Sequence, residues 1–307
     1  MTELLPIREE HIPDCLDVFY MALDELHERL AQPPIPRNPE ALAGAFAHLI
    51  GTDPGACWLA VEGGRAVAFG MAHQRGDHWY LGFLFVVPQA QGRGLGRAVL
   101  ERCLPHDRTG MRLSVCVEAI QPVSTALYAQ YGMVPRVPLY VLIGDLPAGA
   151  LPDPLSGLGS AGVEATAFAA LEDPDLVAAR LDTLDREIVG YRRPSEHRFL
   201  AVPDRLGFFY GRPGGDQPLA YGYAQPSGRL GPVATRDPAL LTSIVGHLAA
   251  AVRPAGEWQV IVPGPAAEAL LPLMRAGLRM DGPPALFCGT WDGPQFDRYL
   301  PMNFALG

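Results

Sequence analysis

The chain contains no lysine, so all 24 of its basic residues are arginines. This absence excludes two kinds of chemistry, because a Walker-type phosphate loop and Schiff-base catalysis both need a lysine side chain. Long apolar runs are also missing. Runs such as Leu81–Val87 are far shorter than the roughly 18 residues that a membrane-spanning helix needs. We therefore expect no membrane partner.

Cysteine is scarce, with five scattered residues and no C-x-x-C pair. This pattern argues against a disulfide framework or a zinc site and favours a reducing compartment. The sequence starts M-T-E-L-L-P-I-R-E-E-H, with acids where a secretion signal would carry basic and then apolar residues. We expect a cytoplasmic protein without a bound metal. The net charge of −9 argues against a nucleic-acid partner, which would need a basic face.

The 307 residues suggest two domains, and 49% apolar with 19% charged residues is typical of a folded chain. In the first part, hydrophobic periodicity and turn residues alternate between strand and helix patterns. A meander of strands followed by strand–helix–strand predicts an α/β (α+β) domain, with a mixed sheet and helices on both faces. Strands are expected at Leu4–Arg8, Cys57–Glu62, Arg65–His73, His78–Val87, Met111–Val117 and Pro138–Ile143, and helices at Glu9–Gln32, Pro39–Ile50, Gly94–Leu104 and Val123–Tyr131.

Residues 147–162 are rich in proline, glycine, serine and alanine, which predicts a linker between a first domain at 1–146 and a second at 163–307. After the linker the same order of elements recurs, so the second domain is interpreted as a diverged repeat of the first. Its strands are expected at Val163–Phe168, Leu206–Tyr210, Ala220–Gln225, Leu230–Ala234, Trp258–Val262 and Ala285–Thr290, and its helices at Asp175–Ile188, Ala239–Val252 and Ala266–Ala276.

The most informative run lies between the fourth strand and the helix that follows it. The segment Gln91–Arg97, named the glycine loop here, has glycines at 92, 94 and 96. Glycines let a backbone approach a ligand closely, and N–H groups at a helix start bind phosphate oxygens. The dinucleotide fingerprint does not fit, because Arg97 stands where its third glycine belongs. Five arginines against two acids between Gln89 and Arg112 make this region locally basic.

The pattern Val86-x-Pro88 followed by Gln91-x-x-Gly94-x-Gly96 resembles the acetyl-CoA loop of the GCN5-related N-acetyltransferases, the GNAT superfamily. Downstream, the segment A-L-Y-A-Q-Y-G-M at positions 126–133 is similar to the A-L-Y-x-x-x-G-F segment of that family, with methionine in place of the usual phenylalanine. The resemblance covers residues 3–145 in the order of elements. It implies acetyl-CoA as a cosubstrate.

Roles for individual residues follow from the resemblance. A backbone N–H at Val86 or a neighbour would polarise the thioester carbonyl, and Tyr128, on the motif tyrosine, would be the general acid. Glu118 or His78 would be the general base. Gln121 stands where the family usually has an asparagine that contacts the cofactor. The expected cofactor-binding residues are Phe85, Val86, Val87, Gln91, Gly92, Arg93, Gly94, Leu95, Gly96, Arg97, Gln121 and Ser124.

We therefore expect an acetyl-CoA-dependent N-acetyltransferase that acetylates a small primary amine by direct attack in a ternary complex, as a monomer or homodimer. The sequence contains no G-x-S-x-G elbow, so it does not indicate an acyl-enzyme route. Two alternatives stay open: a non-catalytic acyl-CoA-binding sensor or scaffold, and a protein acetyltransferase. In the second repeat, Asp237 and Pro238 replace the glycines, so that repeat is expected to be degenerate and to bind pyrophosphate poorly.

Overall fold

The computed structural model of the protein describes residues 2–147, 149–151 and 158–307. Within these residues the chain forms two compact units, unit 1 (Met1–Cys116) and unit 2 (Val117–Gly307). Both units are built on a mixed sheet that contains a parallel pair of neighbouring strands. Of the described helices, none is long and apolar enough to cross a bilayer.

Unit 1 has helices on both faces of a sheet in which the strands run in the order β1-β2-β3-β4-β5. β4 and β5 are parallel, and the other neighbours are antiparallel. The last two residues of β5 already belong to unit 2. The elements are β1 (Glu3–Pro6), α1 (Ile12–Arg29), α2 (Pro39–Thr52), β2 (Cys57–Glu62), β3 (Arg65–Arg75), β4 (His78–Val86), α3 (Leu95–Cys103) and β5 (Arg112–Glu118).

Capping and proline residues set the helix ends in unit 1. The side chain of Asn38 accepts a hydrogen bond from the N–H of Ala41 at 3.1 Å, and Pro39 occupies the first helical position of α2. This arrangement satisfies an N–H group that has no intrahelical partner. α1 ends at Arg29, shortly before Pro33, which cannot continue a helix.

Phenylalanine side chains fix α1 and α2 to one face of the unit 1 sheet. Phe19 of α1 packs edge-on against Phe85, with ring centroids 4.8 Å apart. Phe46 of α2 packs in the same way against Phe83 at 4.9 Å. Edge-to-face pairs add to the apolar area that these rings bury. Both helices are thus held against β4, the strand that leads into the glycine loop.

Unit 2 repeats this layout with additional short strands. Its sheet has the order β13-β6-β11-β10-β9-β8-β7, with β12 also beside β6 and β14 also beside β10. The elements are α4 (Pro122–Ala129), β6 (Val134–Gly144), β7 (Glu164–Ala167), α5 (Pro174–Leu184), α6 (Pro194–Leu200), β8 (Leu206–Gly211), β9 (Ala220–Ala224), β10 (Arg229–Thr235), α7 (Leu241–Ala251), β11 (Trp258–Pro263), α8 (Ala267–Arg275), β12 (Arg279–Met280), β13 (Ala285–Gly289) and β14 (Tyr299–Leu300).

The core of unit 2 lies between its sheet and α7 and α8, where Ile244 and Leu273 are fully buried beside Val262. Gly222 brings α7 close, because a Cβ there would lie 2.8 Å from Leu248. The predicted fold class is confirmed: two tandem α/β domains, with mixed and mostly antiparallel sheets carrying helices on both faces. Sequence analysis missed α6, β12 and β14, all of them short. The predicted helix at Asp175–Ile188 gives way after Leu184 to a π-helical turn.

The compact units divide at a different place from the predicted linker. The strand β6, expected in the first domain, pairs with β11 over Leu139–Gly144 and with β13 over Val134–Leu139. Both partners lie more than 100 residues further along the chain, so residues from 117 onward cluster with the second half. The assignment of 1–146 and 163–307 as two copies of one domain stays a prediction, and residues 148 and 152–157 of the proposed linker lie outside the described residues.

Candidate active site

The candidate site begins where β4 extends beyond its pairing with β5. The parallel register runs from His78 opposite Arg112 to Leu81 opposite Val115, and β4 then continues to Val86. On the other edge of β4, the antiparallel pairing with β3 continues to the end of the strand.

The N–H group of Val86 points away from β3. The next residue, Val87, donates its own N–H to the carbonyl of Val67 at 2.9 Å. Successive N–H groups along a strand point to opposite edges, so the N–H of Val86 faces the edge on which β5 pairs with the start of β4. A carbonyl oxygen placed at that edge could accept this hydrogen bond.

The glycine loop starts from a contact with the same residue. The side-chain amide of Gln91 donates to the carbonyl oxygen of Val86 at 3.0 Å, which ties the loop to the strand end. Gly92 and Gly94 have φ values of +73° and +80°, a left-handed conformation that other residues adopt only with strain. The chain can therefore turn sharply before α3 begins at Leu95.

The start of α3 presents several N–H groups outward. Ala98 makes the first intrahelical hydrogen bond, to the carbonyl of Gly94 at 3.0 Å. The N–H groups of Leu95 and Gly96 come before it, in the first turn, where the helix itself supplies no carbonyl for them. Together with the positive end of the helix dipole, these groups form an arrangement that suits phosphate oxygens.

Gly70 of β3 positions α3 against the sheet. A Cβ at this position would lie 2.8 Å from the Cγ1 atom of Val99 and 3.0 Å from the Sγ atom of Cys103. The helix can approach this closely only because Gly70 lacks a side chain. Arg102 adds a contact from the helix to the sheet, since its guanidinium lies 5.2 Å from the ring centroid of Trp58.

Arg93, one of the predicted cofactor-binding residues, is paired with Glu62. Its guanidinium donates to both carboxylate oxygens, at 2.6 and 3.0 Å. Hydrogen bonds from Arg93 and then from Thr2 lower the pKa of Glu62. The side chain of Arg93 is 51% exposed, so it is free to turn toward another anion. Sequence reasoning missed Glu62, because no local motif signals a partner 31 positions away.

His78, one of the two predicted bases, lies at the opposite end of β4 from Val86. At about 3.3 Å per residue, the two are roughly 26 Å apart along the strand. The His78 ring is buried, and its Nε2 atom lies 2.6 Å from the Oγ atom of Ser114. This position does not favour His78 as a base at the end of β4.

Four of the predicted site residues belong to unit 2, namely Glu118, Gln121, Ser124 and Tyr128. Glu118 is the last residue of β5, three positions after Val115, and is partly buried. Gln121 caps α4, and its carbonyl accepts hydrogen bonds from the main chain and the hydroxyl of Thr125. Ser124 lies in the first turn of the same helix. All three are at or near the surface.

Tyr128 is the buried residue of α4, with 5% exposure. Burial raises the pKa of its phenol well above the usual value, and the nearby Cys288 adds to the effect. The hydroxyl therefore stays protonated throughout the neutral range. A phenol with a raised pKa is a weaker acid, but it remains a hydrogen-bond donor.

At the corresponding strand end of unit 2, the backbone N–H groups are already hydrogen-bonded to carbonyls of the same chain. Arg236 donates its N–H to the carbonyl of Leu219, in the way that Val87 does to Val67. The preceding N–H, that of Thr235, donates to the carbonyl of Arg298 at 3.1 Å. β14 lies antiparallel against this end of β10. The position that corresponds to the N–H of Val86 is thus already bonded.

The turn before α7 is closed as well. The side chain of Asp237 accepts a hydrogen bond from the N–H of Ala239 at 3.0 Å. A carboxylate at this turn repels anions and takes up an N–H group that a phosphate would need. No group of acidic, histidine or cysteine side chains that could hold a metal occurs among the described residues.

Comparison with known proteins gives one family match and several solved structures of similar fold. Residues 21–133 match the model of the acetyltransferase (GNAT) family. A search of curated protein sequences gives no significant match. A "GCN5-related N-acetyltransferase" from Sphaerobacter thermophilus has a TM-score of 0.60 at 18% identity, over 96% of this chain and 97% of that one. Residues 21–133, which contain the glycine loop, thus match the GNAT family, and nearly the whole chain shares the fold of a GNAT protein.

Two further solved structures share the fold of this chain over nearly its whole length. A tandem GNAT protein from the clavulanic acid biosynthesis pathway has a TM-score of 0.60 at 18% identity, over 96% of this chain and 99% of that one. A provisionally named acetyltransferase from Pyrococcus horikoshii has a TM-score of 0.74 at 15% identity, over 100% of this chain and 96% of that one. At these identities the likeness concerns the fold, and the family match is confined to residues 21–133.

Proposed function

We propose that the protein is an N-acetyltransferase whose first half binds acetyl-CoA and transfers its acetyl group to a small primary amine. The observation that carries the proposal is the N–H of Val86, which points away from β3 beside the glycine loop. A thioester carbonyl at this edge would be polarised by that N–H, while the pyrophosphate of the cosubstrate binds the N–H groups at the start of α3.

The proposed reaction is a direct transfer. The amine nitrogen attacks the acetyl carbon, the negative charge that develops on the carbonyl oxygen is stabilised by Val86, and the bond from carbon to sulfur breaks. Glu118 accepts the amine proton, directly or through water. Tyr128 donates a hydrogen bond to the departing thiolate, a role that its protonated phenol supports. No covalent enzyme intermediate is needed.

We also propose that the second half is catalytically silent. Its strand end lacks a free N–H at the position that corresponds to Val86, because Thr235 donates to the carbonyl of Arg298. Its turn carries Asp237 where the first half has the glycine loop. One molecule of acetyl-CoA per chain is therefore expected.

A steady-state assay of CoA release with a panel of small amines tests the proposal. We expect turnover with at least one amine, and at least a tenfold lower kcat for Tyr128→Phe with an unchanged Kd for CoA. Tyr140→Phe is the matched control, a partly buried tyrosine of β6 that has no proposed role. Tight binding of acetyl-CoA without turnover on any amine would instead favour the sensor or scaffold alternative.

A further inference from the structure

Four polar side chains form a row across neighbouring strands of unit 2. Leu206 of β8 and Leu230 of β10 both lie opposite Ala224 of β9, so the residues one position further along each register also lie opposite one another. The pairing of β10 with β11 adds a fourth strand to this row. Residues directly opposite each other share a face of the sheet. We name the row the polar ladder; its members are Arg205, Gln225, Arg229 and Gln259.

Arg205 is held at one end of the ladder by neutral acceptors. Its Nε and Nη2 atoms both donate to the side-chain oxygen of Gln225, at 2.7 Å from Nε. Its Nη1 atom lies 3.4 Å from the carbonyl of Leu200, the last residue of α6. These contacts orient the guanidinium but bring no negative charge to it.

Arg229 has the same kind of surroundings. Its Nη2 atom donates to the side-chain oxygen of Gln259 at 2.6 Å, and its Nη1 atom donates to the carbonyl of Met302 at 2.8 Å. Because the oxygen of Gln259 accepts from Arg229, the amide nitrogen of that glutamine is left to donate elsewhere.

Both arginines of the ladder are partly buried, and neither forms an ion pair with any carboxylate among the described residues. Arg193 of the same unit, by contrast, is buried in an ion pair with the carboxylate of Asp185. Burial lowers the pKa of Arg205 to about 10, and the charge of Arg229 adds to this effect. Burial also lowers the pKa of Arg229. Two neighbouring cations removed from water without a counter-charge are unfavourable unless an anion joins them.

We propose that the polar ladder binds a small oxyanion, a phosphate or carboxylate group held between Arg205 and Arg229. Strands lie about 4.8 Å apart, so the two arginine backbones are about 10 Å apart, and their long side chains can reach one anion. Planar guanidinium groups suit the oxygens of either anion. The site lies wholly in unit 2 and does not depend on the proposed acetyl transfer.

Calorimetric titration of the full chain tests this proposal, with inorganic phosphate and succinate as the two probes at constant ionic strength. Saturating CoA is present in both titrations, so that the glycine loop is occupied. We expect saturable binding of one probe with a Kd below about 1 mM. Phosphate would indicate a phosphate ester as the natural ligand, and succinate would indicate a carboxylate. Absence of saturable binding by both probes would overturn the proposal.

Substitutions then locate the binding. We expect Arg205→Gln and Arg229→Gln each to weaken binding at least tenfold, since glutamine keeps a hydrogen-bond donor but removes the charge. Arg253→Gln is the matched control, because this substitution removes the same charge from an exposed position elsewhere in unit 2. Equal affinity in all three variants would place the anion elsewhere and refute the site. Should the glutamine variants fail to fold, Arg229→Lys, which keeps the charge, is expected to bind at least threefold more weakly, and unchanged binding would refute the site.

Discussion

Arg93 of the glycine loop donates hydrogen bonds to both carboxylate oxygens of Glu62, at 2.6 Å to Oε1 and 3.0 Å to Oε2. The pair joins the loop to the end of β2. Both side chains remain accessible, so a phosphate group could replace Glu62 as the partner of Arg93. We propose that this ion pair competes with the cosubstrate for Arg93.

We expect Glu62→Gln to raise the affinity for CoA several-fold, because Arg93 is then released toward the anion. Glu3→Gln is the control, since it removes the same charge from the neighbouring strand β1, where Glu3 is exposed. Calorimetric titration with CoA measures both. An affinity in Glu62→Gln no greater than in Glu3→Gln would show that the pair does not compete.

The packing of α3 on Gly70 leads to a second prediction. Gly70→Ala places a Cβ 2.8 Å from Val99, and this overpacking is expected to cost about 1–3 kcal/mol in the free energy of unfolding. Because α3 carries the glycine loop, CoA binding should weaken as well. Gly44→Ala, in α2 and with open space around it, should instead stabilise by about 0.5–1 kcal/mol. Denaturant unfolding compares the two variants, and equal stability would contradict the packing argument.

Asp185 in unit 2 gives a prediction about pH. Burial alone would raise the pKa of this carboxyl, but Arg193 and His197 lower it by a larger amount. The net result is a pKa that falls from 3.8 to about 2. A carboxyl with a lowered pKa stabilises the folded state above its unfolded pKa, and this stabilisation is lost as the pH falls through the folded pKa. The contribution is about 2 kcal/mol and should disappear between about pH 4 and pH 2.

Asp185→Asn should remove this pH dependence and destabilise the protein at pH 7 by about 3–5 kcal/mol, because Arg193 is left buried without its partner. Glu257→Gln, which removes one side of an exposed pair with Arg279, should change stability little. Urea unfolding at several pH values measures both effects. A wild-type protein that loses no more stability than Asp185→Asn between pH 4 and pH 2 would contradict this account.

Local signals predicted the strands and helices of the first half well. The Gly63–Gly64 turn, for example, separates β2 from β3 where expected, and both glycines have positive φ. β14 could not be predicted, because its two residues form a strand only by pairing with Val233 and Ala234, more than 60 positions earlier. The division of the chain at Cys116 likewise depends on β6 pairing with distant strands.

The candidate site shows the same difference between local signals and contacts of residues distant in sequence. The glycine loop was predictable because its geometry depends on residues adjacent in sequence, where glycine spacing carries the signal. The pairing of Arg93 with Glu62 and the polar ladder depend on side chains that only the folded sheet brings together. Hydrophobic periodicity predicts which face a residue occupies, but it does not predict which charged side chains meet across strands.

The most direct test of the central claim is the stoichiometry and location of acetyl-CoA binding, measured by calorimetry on the full chain. We predict one molecule per chain and at least tenfold weaker binding in Gly94→Ala, which strains the glycine loop at a φ of +80°. Gly110→Ala, with a φ of +72° outside the loop and equal space around it, should bind as the wild type does. Two molecules per chain, no binding, or equal affinity in both variants would contradict the account.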